Sequence, residues 1–513
     1  MFEKYLHITK LTYNNTLRPI MSSSISKDLS KLDKQSLINL CKKLNLKGYS
    51  GKNKQQLMEL VLSLYPVPNE VAVEPETQLL PETQLLPETQ LLPQTQLLPQ
   101  TQLLPQTQLL PQSSAIKFID LFCGVGGFHQ ALKRLGGVCV FACDIDEHCR
   151  QVYANNYGLT PHHDITKVVA EEVPDFDVLC AGFPCQAFSN AGNKKNFSDS
   201  RGTLFEHILR IAVSKRPKFL FLENVKHIKK ICDGEVFKHI LKRIVESGYY
   251  VKDEETIFEL SPHQLGIPQH RERVIFSCIR QDIYNPAIPI TLAIPDLPSI
   301  AGSLDKIVQT DKTVTDKYKI EPEVEKVLET WDKMVQIIEP GDSMSPTILC
   351  NEFTSVYSPA EYAALPAWKQ EYIEKNRPIY EKYKPQWDEW VAENAPILTK
   401  KEIYGKLEWQ AGKKKQGDCI WNYFIQMRQS GIRVKKCDYF PTLVAIVQTP
   451  IYAKERRYIT PRECARLQSF PDDFIMHPKD KIAYKQFGNA VNVDVVHFVI
   501  HRVLTAYDIV PTK

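Results

Sequence analysis

The chain has 513 residues, 43% hydrophobic and 24% charged, which fits two or three ordinary globular domains. No apolar run approaches the roughly 20 residues needed to cross a bilayer, and residues 1–20 lack the apolar core and cleavage site of a secretory leader. With 64 Lys and Arg against 60 Asp and Glu, the net charge of +4 does not by itself argue for a nucleic-acid partner.

The thirteen cysteines include no Cys-x-x-Cys pair and are odd in number. No disulfide framework or zinc site is expected, and the expected setting is an intracellular, reducing compartment, cytoplasmic or nuclear according to host. Cys139, Cys143 and Cys149 with His148 could suggest a metal, but thiols in and beside a buried strand and helix explain them better.

Residues 1–26 show no periodicity, and Met21 is a second candidate start. In 27–66, Leu37, Leu40, Cys41 and Leu44, then Leu57, Leu60, Val61 and Leu64, repeat the spacing of one helix face, so two short amphipathic helices are predicted. Between them lies a turn containing Gly48, Gly51, Lys52 and Lys54. Residues 27–64 carry eight lysines against three acids. This pattern resembles the SAP motif, a helix-extended-helix module that binds duplex DNA, with Lys52 and Lys54 as candidate DNA contacts. A solvated basic helical pair docking on protein is the other reading. Residues 67–113 contain six copies of Pro-Glu/Gln-Thr-Gln-Leu-Leu, from Pro75 to Leu110. Proline at every sixth position blocks a continuous helix or central strand, so a disordered tether is predicted.

From about Ser114 onward the pattern is α/β. Apolar strand-like runs at Ile116–Phe122, Val138–Cys143, Phe176–Ala181 and Phe219–Leu222 alternate with helical stretches such as Phe128–Leu135 and Glu147–Asn156. Such alternation predicts a mostly parallel sheet covered on both faces.

Glycines 124, 126 and 127 directly follow the first strand, where a ligand can approach the backbone closely. Asp144 stands 20 residues beyond Gly124, at the end of the second strand, where a carboxylate can accept both ribose hydroxyls. The pair implies an adenosine-containing cofactor without a required diphosphate. Cys185, in Phe183-Pro184-Cys185-Gln186, follows a strand end in a rigid turn, and the polar stretch Ser189–Arg201 follows it. The next strand ends in Glu223-Asn224-Val225. In Gln269-His270-Arg271-Glu272-Arg273 the arginines alternate, which predicts that they share one strand face.

These segments, in this order, resemble the DNA cytosine-5 methyltransferase family. Asp120–Phe128 resembles its cofactor loop, and Gly182–Gln186 its nucleophile motif. Glu223–Val225 and Gln269–Arg273 resemble its second catalytic and arginine motifs. Thr460–Leu467 resembles the motif that organises its recognition domain, and Gln486–Val491 its last cofactor-side motif. The resemblance covers about 400 residues. One departure is Asp144, where the family often has glutamate; either can hold ribose hydroxyls.

The resemblance implies a Rossmann-like S-adenosylmethionine-dependent methyltransferase sheet with an inserted target recognition domain, plus the small helical N-terminal module. The expected divisions are 114–280, the first part of the catalytic domain; 281–458, the target recognition domain; and 459–513, the return to the catalytic domain. It implies Cys185 as nucleophile toward carbon 6 of cytosine, Glu223 at ring nitrogen 3 and the exocyclic amine, Arg273 at the carbonyl oxygen, and Arg271 organising the site. It implies a cofactor pocket from Asp120, Phe122, Gly124, Gly126, Gly127, Asp144, Ile145, Asp164, Leu204 and Asn489. The target base must leave the duplex to be reached, and Gln186, Ser189 and Arg201 would contact DNA from the closing loop. The partner is duplex DNA, a monomer is expected, and a cognate restriction nuclease could accompany it. One branch of the family methylates transfer RNA, which stays open as the alternative. In the recognition region, Ser358-Pro359-Ala360-Glu361 predicts a capped helix start, and the Tyr- and Trp-rich helices after it are read as packing. Lys413–Lys415 and Arg433–Lys436 could touch phosphates, with a solvated loop as the other reading of the first run.

Overall fold

The computed structural model describes residues 37, 53–62, 115–184, 203–290, 292, 294, 304–342, 344, 347–349, 357–445 and 448–511. The chain forms two compact units, Met1–Thr107 and Gln108–Lys513. In the first, helix α1 (Lys54–Leu62) begins at a reciprocal cap: the Gln56 amide donates to Asn53 Oδ1 at 2.9 Å, and the Asn53 amide to Gln56 Oε1 at 3.1 Å. Leu57 is enclosed, whereas Lys54 is exposed. Leu37 is helical and buried. The turn with Lys52, the rest of the first amphipathic helix and the hexapeptide repeats lie outside the described residues.

The second unit opens with β1 (Lys117–Leu121), α2 (Gly127–Lys133), β2 (Val138–Cys143), α3 (Glu147–Tyr157), β3 (Val178–Gly182), α4 (Thr203–Lys215) and β4 (Phe219–Val225). It continues with α5 (Glu235–Glu246), β5 (Tyr249–Tyr250), β6 (Ile257–Leu260) and β7 (Arg273–Arg280). The strands form one sheet in the order β2-β1-β3-β4-β7-β5, with β6 also on β7. β1 to β4 are parallel; β5, β6 and β7 join antiparallel. The first four strands match the expected alternation within a few residues. The antiparallel edge does not follow from it, because β5, β6 and β7 are joined without long crossover helices.

Both faces of this sheet are covered, so side-chain alternation inside each strand divides two cores rather than a core from water. Along β1, Phe118 joins the core shared with α2, while Ile119 and Leu121 join the core shared with α4 and α5. The chain turns to opposite sides after β1, first to β2 and then to β3, which opens a crevice at the carboxyl ends of the strands.

A second sheet follows. Its helices are α6 (Pro322–Ile337), α7 (Pro359–Ala364), α8 (Ala367–Lys382) and α9 (Lys384–Leu398). Its strands are β8 (Thr347–Leu349), β9 (Lys406–Gln410), β10 (Phe424–Arg428), β11 (Gly431–Lys435), β12 (Ile451–Tyr452) and β13 (Arg457–Tyr458), in the order β13-β12-β10-β11-β9-β8. The Ser358 cap forms as expected, with Glu361 returning a bond to the Ser358 amide. Trp331, Trp387 and Trp390 are buried between helices and sheet, as packing requires, but Trp368 is 54% exposed. Lys413 and Lys415 are exposed, as in the solvated-loop reading of their run, but Lys414 departs from it. Its Nζ is buried and donates to the carbonyls of Val335 at 2.8 Å and Ile338 at 2.5 Å, capping the end of α6.

The chain then returns to the first sheet through α10 (Pro461–Leu467), α11 (Asp480–Asn489) and α12 (Val493–Ala506). α12 supplies Val495, Val496, Val499, Ile500 and Val503 to the core beneath β1 and α2.

Candidate active site

The crevice at the carboxyl ends of β1 and β2 is built from backbone. Phe122 and Gly124 take φ of 54° and 53°, and Gly126 takes 86°. A Cβ on Gly126 would lie 2.4 Å from the Tyr157 ring, whose hydroxyl donates to the carbonyls of Val125 and Gly126. A Cβ on Gly124 would meet open space, so that side of the loop faces the crevice. The Gly124 amide donates to Asp144 Oδ2 at 2.8 Å, and the Asp146 amide to Oδ1 at 2.8 Å. These bonds orient the Asp144 carboxylate and leave each oxygen a further lone pair. Burial raises the Asp144 pKa, while the two amides oppose the rise. Beside it, Ile145 is 73% exposed, an apolar side chain standing at the rim.

The other expected pocket residues divide. Asp164 caps a short turn, accepting from the Thr166 amide and hydroxyl at 2.9 and 2.8 Å, and its carboxyl is lowered chiefly by those bonds. Leu204 is half-buried at the start of α4, and Asn489 is exposed at the end of α11. Asp120 and Gly127 lie beneath the loop instead of lining it. Asp120 is fully enclosed with neither oxygen in a well-aligned hydrogen bond; burial and then the Asp144 charge push its carboxyl far up, against the His129 amide. A Cβ on Gly127 would lie 2.5 Å from Val491, which makes that glycine a packing requirement.

On the far side of the crevice, Gly182 at the end of β3 pairs with Glu223 on β4. Glu223 is 9% exposed, and its Oε1 meets Arg273 Nε at 2.8 Å. Asn224 Nδ2 donates to the Phe183 carbonyl at 2.9 Å, fixing the first residue of the segment that leads to Cys185. Phe183 is buried against Phe205. Cys185, Gln186, Ser189 and Arg201 lie outside the described residues.

The arginines do not share a strand face. β7 begins at Arg273, and Arg271 precedes it in irregular chain. Arg271 is 3% exposed, and its guanidinium donates to the carbonyls of Leu443 at 2.7 Å, Gly488 at 3.0 Å and Ala490 at 3.1 Å. These bonds tie the arginine segment to the second sheet's exit chain and to the end of α11. A Cβ on Gly488 would lie 2.4 Å from the Val444 carbonyl oxygen, so only glycine permits this closure.

Over residues 116–505 the chain matches the model of the C-5 cytosine-specific DNA methylase family. The chain belongs to this family. It is 31% identical to the type II methyltransferase M.HgiCI of Herpetosiphon aurantiacus over 442 residues, covering 77% of this chain and 99% of that one. It is 30% identical to M.AluI of Cellulosimicrobium cellulans, covering 75% and 91%, and 29% identical to M.HhaI of Haemophilus parahaemolyticus, covering 78% and 97%.

Several residues of this C-5 methylase that shape the site carry weak sequence signals. Arg457 is 2% exposed and bonds both Glu463 oxygens, at 2.9 and 2.8 Å, while Glu463 also takes the Thr460 and Gln309 amides. Glu463 also closes a capping box with Thr460, and no motif marks its buried partner six residues upstream. Lys485 meets Asp146 at 2.8 Å, joining α11 to the start of α3 next to Asp144.

Proposed function

We propose that this chain is a DNA (cytosine-5-)-methyltransferase that acts on cytosines within a specific duplex sequence, with Cys185 as nucleophile. The observation that carries the assignment of roles is the Glu223–Arg273 pair at the crevice, beside the strand end that leads to Cys185. An acceptor and a donor held 2.8 Å apart suit the nitrogen 3 and amine edge and the carbonyl of one cytosine ring.

The crevice residues fit S-adenosylmethionine. Gly124 leaves room at the backbone, the Asp144 carboxylate has free lone pairs for two ribose hydroxyls, and the exposed Ile145 offers an apolar face to adenine. Phe122, Gly126, Asp164, Leu204 and Asn489 complete the proposed wall. When bound, the cofactor supplies an electrophilic methyl group.

The chain's own residues activate the base. The Cys185 thiolate bonds carbon 6, and the electrons of the carbon 5–carbon 6 bond make carbon 5 nucleophilic. Glu223 holds a proton at ring nitrogen 3 as charge builds there, and Arg273 holds the carbonyl oxygen. After methylation the carbon 5 proton leaves, the carbon 6–sulfur bond breaks, and the thiolate returns. Gln186, Ser189 and Arg201 contact the DNA while the base is flipped out.

The proposal extends to residues 27–66 as a non-specific DNA anchor, with Lys52 and Lys54 on phosphates; tethering raises the local concentration of DNA. Lys52→Ala with Lys54→Ala should weaken binding equally for all sequences and lower the salt slope by about two. Among the described residues no helix is long and apolar enough to cross a membrane.

The deciding experiment is methyl transfer from labelled S-adenosylmethionine to mixed-sequence duplex DNA and, in parallel, to transfer RNA. Label in 5-methylcytosine of DNA, lost in Cys185→Ser and reduced at least about 100-fold in Glu223→Gln, supports the mechanism. Label in RNA alone would move the chain to the RNA-methylating branch.

A further inference from the structure

The second sheet has one apolar and one polar face. Leu407, Trp409, Ile425, Ile432 and Val434 pack on the helices and are buried. The alternate positions form rows across β9, β11 and β10. Glu408, Arg433 and Gln426 are one row, and Arg428 sits opposite Gly431 in the next. Lys435 lies on the same face, beside Gln410 and Phe424.

The charges on this face are unbalanced. Arg433 Nε meets Glu408 Oε2 at 2.6 Å, and Glu408 is the only carboxylate in these rows. Arg428 and Lys435 are half-buried, and among the described residues neither has a hydrogen-bond or ion-pair partner. Burial and then the other cations of the face pull both toward deprotonation, with Glu408 opposing this at Arg428. Half-desolvated cations held next to one another without enough acid are costly in the free protein. An acceptor-rich partner relieves that cost. Lys435 also stands over the Tyr439 ring at 5.9 Å, and Tyr439 abuts the stacked rings of His263 and His270, 6.0 Å from each.

The face is wired to the active site. The chain leaving β11 reaches Phe440, whose amide donates to the Pro268 carbonyl at 2.7 Å, and Thr442, whose hydroxyl donates to the His270 carbonyl at 2.6 Å. Leu443 then receives Arg271. The polar face is thus fixed relative to Arg273 by short bonds along one continuous segment.

We infer that Arg428 and Arg433 read base edges of the duplex beside the target cytosine, with Lys435 and Tyr439 at their flank. This rests on the DNA-methyltransferase reading above. Arginine donors match the two major-groove acceptors of guanine. The methylated sequence therefore contains a guanine that Arg428 discriminates. Glu408 orients Arg433 and so is a positioning residue.

The test maps methylated sites on mixed-sequence duplex DNA for the full chain and for Arg428→Ala and Arg428→Lys. Neither removes a partner of Glu408, so folding should persist, and a denaturation midpoint is measured for each. The expected result is relaxed choice at one fixed position of the site. Discrimination at that position should fall about ten- to hundred-fold while the remaining positions stay strict. Weakening that is uniform over all sequences, with a salt slope reduced by about one, would make Arg428 a phosphate contact and overturn the proposal. An unchanged site spectrum in folded variants overturns it as well. If the unmodified protein leaves no 5-methylcytosine in DNA, the enzymatic reading fails first, and this one with it.

Discussion

Replacing Arg271 by alanine should uncouple the two sheets as well as weaken them. Its guanidinium makes three bonds to main-chain carbonyls, at 2.7, 3.0 and 3.1 Å, in a place that is 3% exposed. A hydrogen bond from a charged group contributes roughly 1.5–3 kcal/mol, and each buried carbonyl left alone costs about 1–3. Removing the buried cation itself recovers part of this, so a net loss of about 3 kcal/mol is expected. The assay follows from the sequence: all six tryptophans lie between Trp331 and Trp421, within the helices and strands of the second sheet. Tryptophan fluorescence therefore follows that layer, while far-ultraviolet dichroism follows the whole. In urea the two signals should coincide for the unmodified chain and separate in Arg271→Ala. Arg271→Lys, which can still reach one or two of the carbonyls, should fall between. If Arg271→Ala moves neither transition by more than about 0.5 kcal/mol, the clamp is not what joins the layers.

Gly126→Ala should cost more stability than Gly124→Ala, whose Cβ enters the crevice and should cost more cofactor affinity. Both strain a positive φ by about 1 kcal/mol, but only the first drives a Cβ to 2.4 Å from the Tyr157 ring; denaturation and calorimetric titration with S-adenosylmethionine would rank them. Burial, then the Lys133 charge, lowers the buried His129 to about 4, below its ordinary 6.5. A depressed histidine contributes stability that is complete above the unfolded value and is lost as pH falls from about 6.5 toward 4. That loss, at most about 3 kcal/mol, should be missing from the unfolding curves of His129→Gln. Asp120 has the opposite sign, its folded pKa being raised chiefly by burial. Its contribution is full below the unfolded value and lost as pH rises. Asp120→Asn should therefore stabilise the fold near pH 7, by about 1 kcal/mol or more on removal of the buried charge; a loss of stability there would mean that Asp120 has a partner in solution.

The parallel half of the first sheet was legible because each strand is a short apolar run with a helix pattern after it. The glycine loop and Asp144 were legible because spacing and residue type carry that chemistry. The antiparallel edge was less so: β5 is two residues long, and β6 and β7 differ from buried parallel strands only in their partners. Alternation misplaced Arg271, since it presumes a strand where the chain is irregular. Lys414 shows a related limit. Three successive lysines look solvated, and only the nearby end of α6 makes the middle one a buried cap. Arg457 was invisible for the same reason: its partner Glu463 lies on another element.

These last three residues have one property in common, which bears on how the chain couples recognition to chemistry. Each is a buried cation held by groups from a different segment: Arg271 by three carbonyls, Lys414 by the end of α6, Arg457 by Glu463. Two of them sit where the second sheet meets the returning chain. Apolar packing alone tolerates sliding by a fraction of an ångström, whereas a guanidinium bound to fixed carbonyls does not. Arg271 sits two residues from Arg273, and its partner Leu443 lies eight residues beyond Lys435. A base read on the polar face is therefore held at a set distance from Glu223 and Arg273. It follows that Arg271→Lys should lower kcat on the preferred sequence more than it changes KM for the cofactor. An equal effect on both would mean that Arg271 supports the fold as a whole and sets no register between the two sheets.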